Sequence, residues 1–182
     1  MLQTSVKWSV EDYHRMVAAG ILEDRRVELL AGDIVAMSPE TPIHYNTAKR
    51  GTRYLQSLLD GLADVRFNGP ITLANSEPEP DMAIARLPES NYDERHPETA
   101  DLFWVVEVAK TSFQKDFTVK AEIYAQAGIP EYWILDLAQQ QMVVMREPKG
   151  DRYLQIQTVS DGEIQPLAFP EITISLKKLL GD

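Results

Sequence analysis

Cysteine is missing from all 182 residues. Disulfide bonds and thiolate metal sites are therefore excluded, and a reducing intracellular setting is the simple expectation. No stretch is apolar for long enough to span a bilayer, and Met1 to Trp8 holds no apolar core of a secretory leader. A cytoplasmic protein with no membrane partner is predicted. Positive charge is scarce too, with 18 lysines and arginines against 28 aspartates and glutamates and a formal charge of −10. Such a chain is a poor non-specific binder of nucleic acid, because phosphate binding rests on neutralising cations. A local basic groove on an acidic body stays open, as does an acidic excess that a metal ion would neutralise. Repeats, linkers and low-complexity tracts are also absent. Residues 1–182 read as one domain, and 44% hydrophobic content is enough for a core.

Ser9 is a good N-cap and Asp12 stands where a capping box needs an acid, so a helix begins there and Gly20 ends it. Arg26 to Leu30 and Ile34 to Met37, around Ala31-Gly32-Asp33, predict a β-hairpin closed by Pro39 and Pro42. The apolar spacing of Tyr45, Ala48, Thr52, Leu55 and Leu59 predicts a helix from His44 to Leu59. Short strands are expected at 65–67, 71–73 and 81–85. Residues 87–100, polar and acidic, predict a surface loop with freedom to move. A strand over 102–109 and a helix over 116–127, closed by Gly128 and Pro130, come next. A strand over 132–135 leads to a meander over 141–145 and 153–158, turning at Pro148 to Asp151, and a short helix over 176–180. The expected fold class is α/β.

Glu107 breaks the run Leu102-Phe103-Trp104-Val105-Val106-Glu107-Val108-Ala109. That run reads as a strand buried on both faces, where an ionised carboxylate is costly without a cation beside it. On a helical wheel Lys120 falls in the same arc as Phe117, Ala121, Tyr124 and Ala127, whereas Glu122 and Gln126 fall opposite. A buried acid and a buried base thus face the same region, although a lysine snorkelling from the edge of the apolar face fits the spacing equally well. Asp81 opens a strand directly after Pro80. If its strand neighbours that of Glu107, two carboxylates converge, and oxygen ligands of this kind are what Mg²⁺ prefers. A bound ion polarises a phosphoryl oxygen, and a nearby lysine orients water or offsets developing charge.

These residues resemble the PD-(D/E)XK nuclease signature, and over a longer span the Uma-two family of small restriction endonucleases. The likeness rests on Val27-Glu28-Leu29-Leu30-Ala31-Gly32-Asp33-Ile34-Val35-Ala36-Met37-Ser38-Pro39, His44, Glu79-Pro80-Asp81 and Val105-Val106-Glu107-Val108. It continues through Asp116, Lys120, Tyr124-Ala125-Gln126-Ala127-Gly128-Ile129-Pro130-Glu131-Tyr132-Trp133 and Asp136. It implies a restriction-endonuclease-like core: a mixed central β-sheet flanked by helices, with an N-terminal helix and hairpin and a C-terminal β-meander. It also implies Asp81 and Glu107 as ligands of Mg²⁺, with Mn²⁺ as a substitute, and DNA as the substrate. Where the parent signature has its lysine, two residues after the second acid, Ala109 stands here. The family supplies that lysine from the next helix, which is what Lys120 offers. Lys110 is a rival that strand alternation turns away from Glu107. The segment after Glu107, Ala109-Lys110-Thr111-Ser112-Phe113, departs from the small polar stretch common in the family.

Glu28 matches an acidic family position and is a candidate to complete a metal shell, or an exposed strand residue before a turn. His44 is a lesser candidate beside a helix-capping or surface role. Gln56 and Tyr124 read more economically as packing or surface residues. Lys49, Arg50 and Arg53 read as a solvated helix face; with Lys115 they are also the places to look for phosphate contacts. Trp104 and Trp133 read as core. Two functions compete, with an enzyme acting on another phosphate substrate such as RNA or a nucleotide as a third possibility. One is a metal-dependent DNA endonuclease, expected as a homodimer because cutting both strands takes two sites. The other is an inactive nuclease-like fold acting as a dimeric interaction module.

Overall fold

A computed structural model describes residues 5–181. Residues 1–4, the start of the segment read above for a leader, lie outside the described residues. Six strands form the central sheet in the order β3-β4-β5-β6-β7-β8. They are β3 (Asp64–Phe67), β4 (Met82–Ala85), β5 (Leu102–Ala109), β6 (Glu131–Asp136), β7 (Gln141–Lys149) and β8 (Arg152–Val159). All adjacent pairs are antiparallel except β5 and β6. That one parallel pair requires a crossover, and the helical segment 113–126 provides it. The sheet is mixed, as expected, and the predicted meander is its β6-β7-β8 half.

Alternate residues of the buried strands feed two cores, one on each face. Val105, Tyr132, Ile134, Val143 and Met145 pack under the crossover helix with Tyr124 and Ile123. Trp104, Val106, Trp133, Leu135 and Val144 pack on the other face against α2 (Pro42–Leu58) and α5 (Leu176–Leu180). Trp104 and Trp133 are fully buried with ring centroids 5.3 Å apart, so both are core residues. Gly51 lets α2 approach β4 closely: a Cβ there would lie 3.3 Å from the Met82 side chain.

α1 (Val10–Ala18) begins at Ser9 with the expected capping box, and the hairpin β1 (Val27–Leu30) and β2 (Asp33–Ala36) follows. Its two-residue turn, Ala31-Gly32, takes positive φ at both positions (47° and 79°), the backbone that matches hairpin twist. Among the described residues, no helix is long and apolar enough to cross a membrane.

Several boundaries differ from the sequence reading. Pro42 does not close the hairpin; it is the first residue of α2, capped by Thr41, where a missing N–H costs nothing. Residues 71–73 are not a strand. Ile71 and Leu73 are buried, but their chain bonds to loops, through Ile71 N–H to Pro78 O and Thr72 N–H to Pro97 O. The segment 87–100 is pinned rather than free: Tyr92 is buried and donates to Arg86 O, and Arg95 pairs with Asp101 at 2.6 Å. β7 and β8 run on past their predicted ends, so the turn is Gly150-Asp151 and Pro148 lies inside β7. The crossover helix starts at Phe113, a turn earlier than predicted. It runs as α3 (Phe113–Lys115), a π-helical turn (Asp116–Lys120) and α4 (Ala121–Gln126), with Ala121 N–H donating to Asp116 O.

Candidate active site

β4 and β5 pair with Met82 opposite Val106, so one further step of register sets Asp81 opposite Glu107. The Val108 N–H donates to Asp81 Oδ2 at 2.6 Å, fastening that carboxylate to the neighbouring strand. His44, on the first turn of α2, holds the same oxygen through Nε2 at 3.3 Å. Burial works against the imidazolium, but Asp81 beside it outweighs that and raises the His44 pKa. Its Nδ1 is buried without a partner among the described residues.

The crossover helix supplies the cation. Lys120 is 5% exposed and its Nζ lies 2.8 Å from Glu107 Oε1 and 3.5 Å from Glu28 Oε2. The π turn leaves both of its ends, Asp116 and Lys120, buried against the sheet. Such turns are frequent at functional sites. Tyr124, one turn on and fully buried, donates its hydroxyl to the same Glu107 Oε1 at 2.8 Å. Glu28, on β1, is 1% exposed and bridges Lys120 to Lys115, whose Nζ is 2.8 Å from Glu28 Oε1. The hairpin therefore closes the cleft by ion pairing across the molecule.

The electrostatics follow from burial. Desolvation pushes the Glu107 carboxyl up to about 8 despite Lys120, with Asp81 and Asp116 adding repulsion. Burial likewise raises Asp116 and Glu79. Burial penalises the Lys120 ammonium, yet the carboxylates of Glu107, Glu28 and Asp116 hold it above the ordinary lysine range, so it keeps its proton. For Glu28 burial is outweighed by Lys120 and Lys115, and its carboxyl sits below the usual value.

Asp81, Glu107, Glu28, Lys120, His44 and Lys110 all line one cleft together with Lys115, whereas Lys49, Arg50 and Arg53 do not line it. Lys110 follows the last residue of β5; it is exposed, lines the cleft, and makes no ion pair with Glu107 among the described residues. Gln56 lies elsewhere, with its amide on Val65 O. Tyr124, which the sequence presents as a packing or surface residue, holds Glu107, and Asp116 and Glu79 also line the cleft. The wheel placed Tyr124 on the face of Lys120, which was the available signal; Glu79 gave none beyond its place in the Glu-Pro-Asp motif.

Asp81 Oδ1 and Glu107 Oε2 have no hydrogen-bond partner among the described residues, and neither is sealed from solvent. Two hard oxygens on residues that face each other across β4 and β5 are thus without a partner in the cleft. No group of three or more His, Asp or Glu side chains among the described residues is arranged to cage a metal. An ion held by two carboxylates, with water and phosphate completing its shell, is the coordination Mg²⁺ favours, so the donor set fits.

None of the curated proteins matches the chain. Among solved structures it resembles one titled "Crystal structure of a putative nuclease belonging to DUF820 from Anabaena variabilis ATCC 29413", with a TM-score of 0.68 and 16% identity. The match covers 85% of this chain and 89% of that one and is a likeness of fold. The family model Uma2, described as "Putative restriction endonuclease", matches residues 10–177. That span takes in the hairpin, both strands and the crossover helix, and with them every residue of the cleft: the chain belongs to the Uma2 family.

Proposed function

We propose that this one-domain protein is a metal-dependent DNA endonuclease that hydrolyses phosphodiester bonds in the cleft between β4, β5 and the crossover helix. Asp81 and Glu107 would hold Mg²⁺, or Mn²⁺ in its place, through the two oxygens left open to the cleft. The bound ion would polarise the phosphoryl group and make its water a stronger nucleophile. Lys120 stays protonated, so it serves as a donor that orients the attacking water and offsets charge growing on the phosphate, not as a base. Tyr124 fixes the Glu107 carboxylate by its hydrogen bond. Val108 N–H and His44 do the same for Asp81. Glu28 sets the position of Lys120 and Lys115. Lys110 and Lys115 stand at the rim, where they can meet the neighbouring phosphates. A cytoplasmic homodimer is the form we assign to it, since one cleft cuts one strand.

The observation that carries this reading is Glu107 itself. It is 4% exposed, shares one oxygen between Lys120 and Tyr124, and leaves the other without a partner among the described residues, at the strand position opposite Asp81. A buried acid with a purely structural role has no reason to leave an oxygen open. Purified protein should nick or cut plasmid DNA in Mn²⁺, and Glu107→Ala should abolish this while the protein stays folded. Undiminished cutting by that variant would sink the assignment.

A further inference from the structure

The turn of α2 that sends His44 into the cleft sends its neighbours outward. Tyr45 is 40% exposed and Ile43 46% exposed. Tyr45 is also held in place. Its ring meets the half-buried Phe67 edge-on at 5.7 Å, and Lys49, one turn along, lies 5.6 Å from its centroid. Phe67 leads directly to Asn68, which lines the cleft and donates its N–H to Asp81 O. Both chain neighbours of this aromatic pair, His44 and Asn68, are thus cleft residues. Tyr45 and Phe67 themselves stand outside the cleft lining, each one residue along the chain from a side chain that lines it on the Asp81 side. Its hydroxyl has no hydrogen-bond partner among the described residues, so nothing but the ring is in use.

Charge separates what this surface can hold. A protein with a formal charge of −10 has little capacity to neutralise the two phosphate rows of a duplex. Stacking on an aromatic face does not depend on net charge, and every base has a face to offer. A base reaches Tyr45 only when it is unpaired, because the faces of a paired base are occupied by its neighbours in the stack.

We infer that Tyr45 is a stacking platform for an unpaired base beside the cleft, so that the substrate is DNA with single-stranded character at the point of attack. This rests on the nuclease reading and names its substrate class. Lys49, seated against the ring, is placed to meet the phosphate of the stacked nucleotide.

The test compares a labelled 20-nucleotide thymine strand with a 20-base-pair duplex, measuring binding by fluorescence anisotropy in Ca²⁺ and cleavage separately in Mn²⁺. The single strand should bind more tightly than the duplex. Tyr45→Ala should weaken the single strand about 10-fold more than it weakens the duplex, as loss of one stacked base implies. Tyr45→Phe and Tyr45→Trp keep a ring on the same support and should retain binding, which separates stacking from a folding defect. If the protein cuts DNA but Tyr45→Ala affects both DNAs alike or neither, the stacking inference falls and the nuclease reading stands. If the protein neither binds nor cuts either DNA, both fall.

Discussion

In a chelating buffer, the Glu107→Gln variant should melt level with the parent near pH 5 and above it at pH 8. Glutamine has the same length, and its Oε1 can still accept from Lys120 and Tyr124, while Lys120 keeps Glu28 at 3.5 Å as a counter-charge. What changes is the proton. Burial raises the Glu107 carboxyl from 4.5 to about 8, so between those values the folded protein holds a proton that the unfolded chain releases. Rising pH therefore favours unfolding, by about 1.4 kcal/mol per pH unit across that window. The full window amounts to about 5 kcal/mol, and a chain of this size shifts by about 2–4 °C per kcal/mol. Thermal melts followed by circular dichroism at pH 5, 6, 7 and 8 in EDTA should show the parent falling roughly 10 °C or more relative to the variant. Glu79 and Asp116 also take up protons on folding but do so in both proteins, whereas His44 is raised partly by Glu107, so the difference reports Glu107 together with the neighbours its charge acts on. Parallel melting curves from pH 5 to 8 would refute the reasoning: Glu107 would then be ionised throughout, and the Lys120 ammonium would outweigh burial.

Other consequences can be measured separately. Mg²⁺ or Mn²⁺ should raise the melting temperature of the parent more at pH 8 than at pH 6, because Glu107 must shed its proton to ligate. Asp81→Asn should remove most of that rise, and an unchanged rise would discredit Asp81 as a ligand. Tyr124→Phe leaves no cavity and removes one of two donors to Glu107 Oε1, so urea titration should show a loss of about 1 kcal/mol. No loss would mean the hydroxyl does not hold the carboxylate. Arg146→Met strands the fully buried Glu131, and breaking such a pair costs about 3–5 kcal/mol. A melting temperature within 2 °C of the parent would contradict that, taking about 2–4 °C per kcal/mol.

Glu131 also marks the limit of what a sequence can say. It is more buried than Glu107, yet every oxygen is used: Oε1 by Trp133 Nε1 and Arg146, Oε2 by the Leu167 N–H. Nothing local in the sequence separates a buried acid that is satisfied from one that is not, because Arg146 and Leu167 arrive from distant segments. Glu107 was legible for a different reason, since it interrupts an apolar run whose length already required burial on both faces. Lys120 was legible from periodicity, and its wheel position held although the helix contains a π turn. The mixed sheet and its hairpin came through the family likeness and the turn residues. Residues 71–73 misled because buried β-branched and aliphatic side chains can cover a core from a loop as well as from a strand. Asp116 and Glu79 carry no such signal, because their place in the cleft depends on how the crossover helix and the hairpin dock, which spacing along the chain does not encode.

The π turn between Asp116 and Lys120 amounts to one surplus residue in an otherwise α-helical crossover. Deleting any one of Phe117, Thr118 or Val119 would let the helix relax to ordinary α geometry without breaking it. The bond from Ala121 N–H to Asp116 O would then be an ordinary α-helical one, and the residues on either side would keep nearly the same relative aim, since five residues of π turn and four of α turn both come round to about one full turn. Losing Glu122 or Ile123 instead, where no wide turn absorbs the change, would swing Tyr124 about 100° away from the side chain of Lys120 and off Glu107. The crossover thus carries one residue of slack, and carries it ahead of Lys120 only: length is free to change there and fixed one turn later.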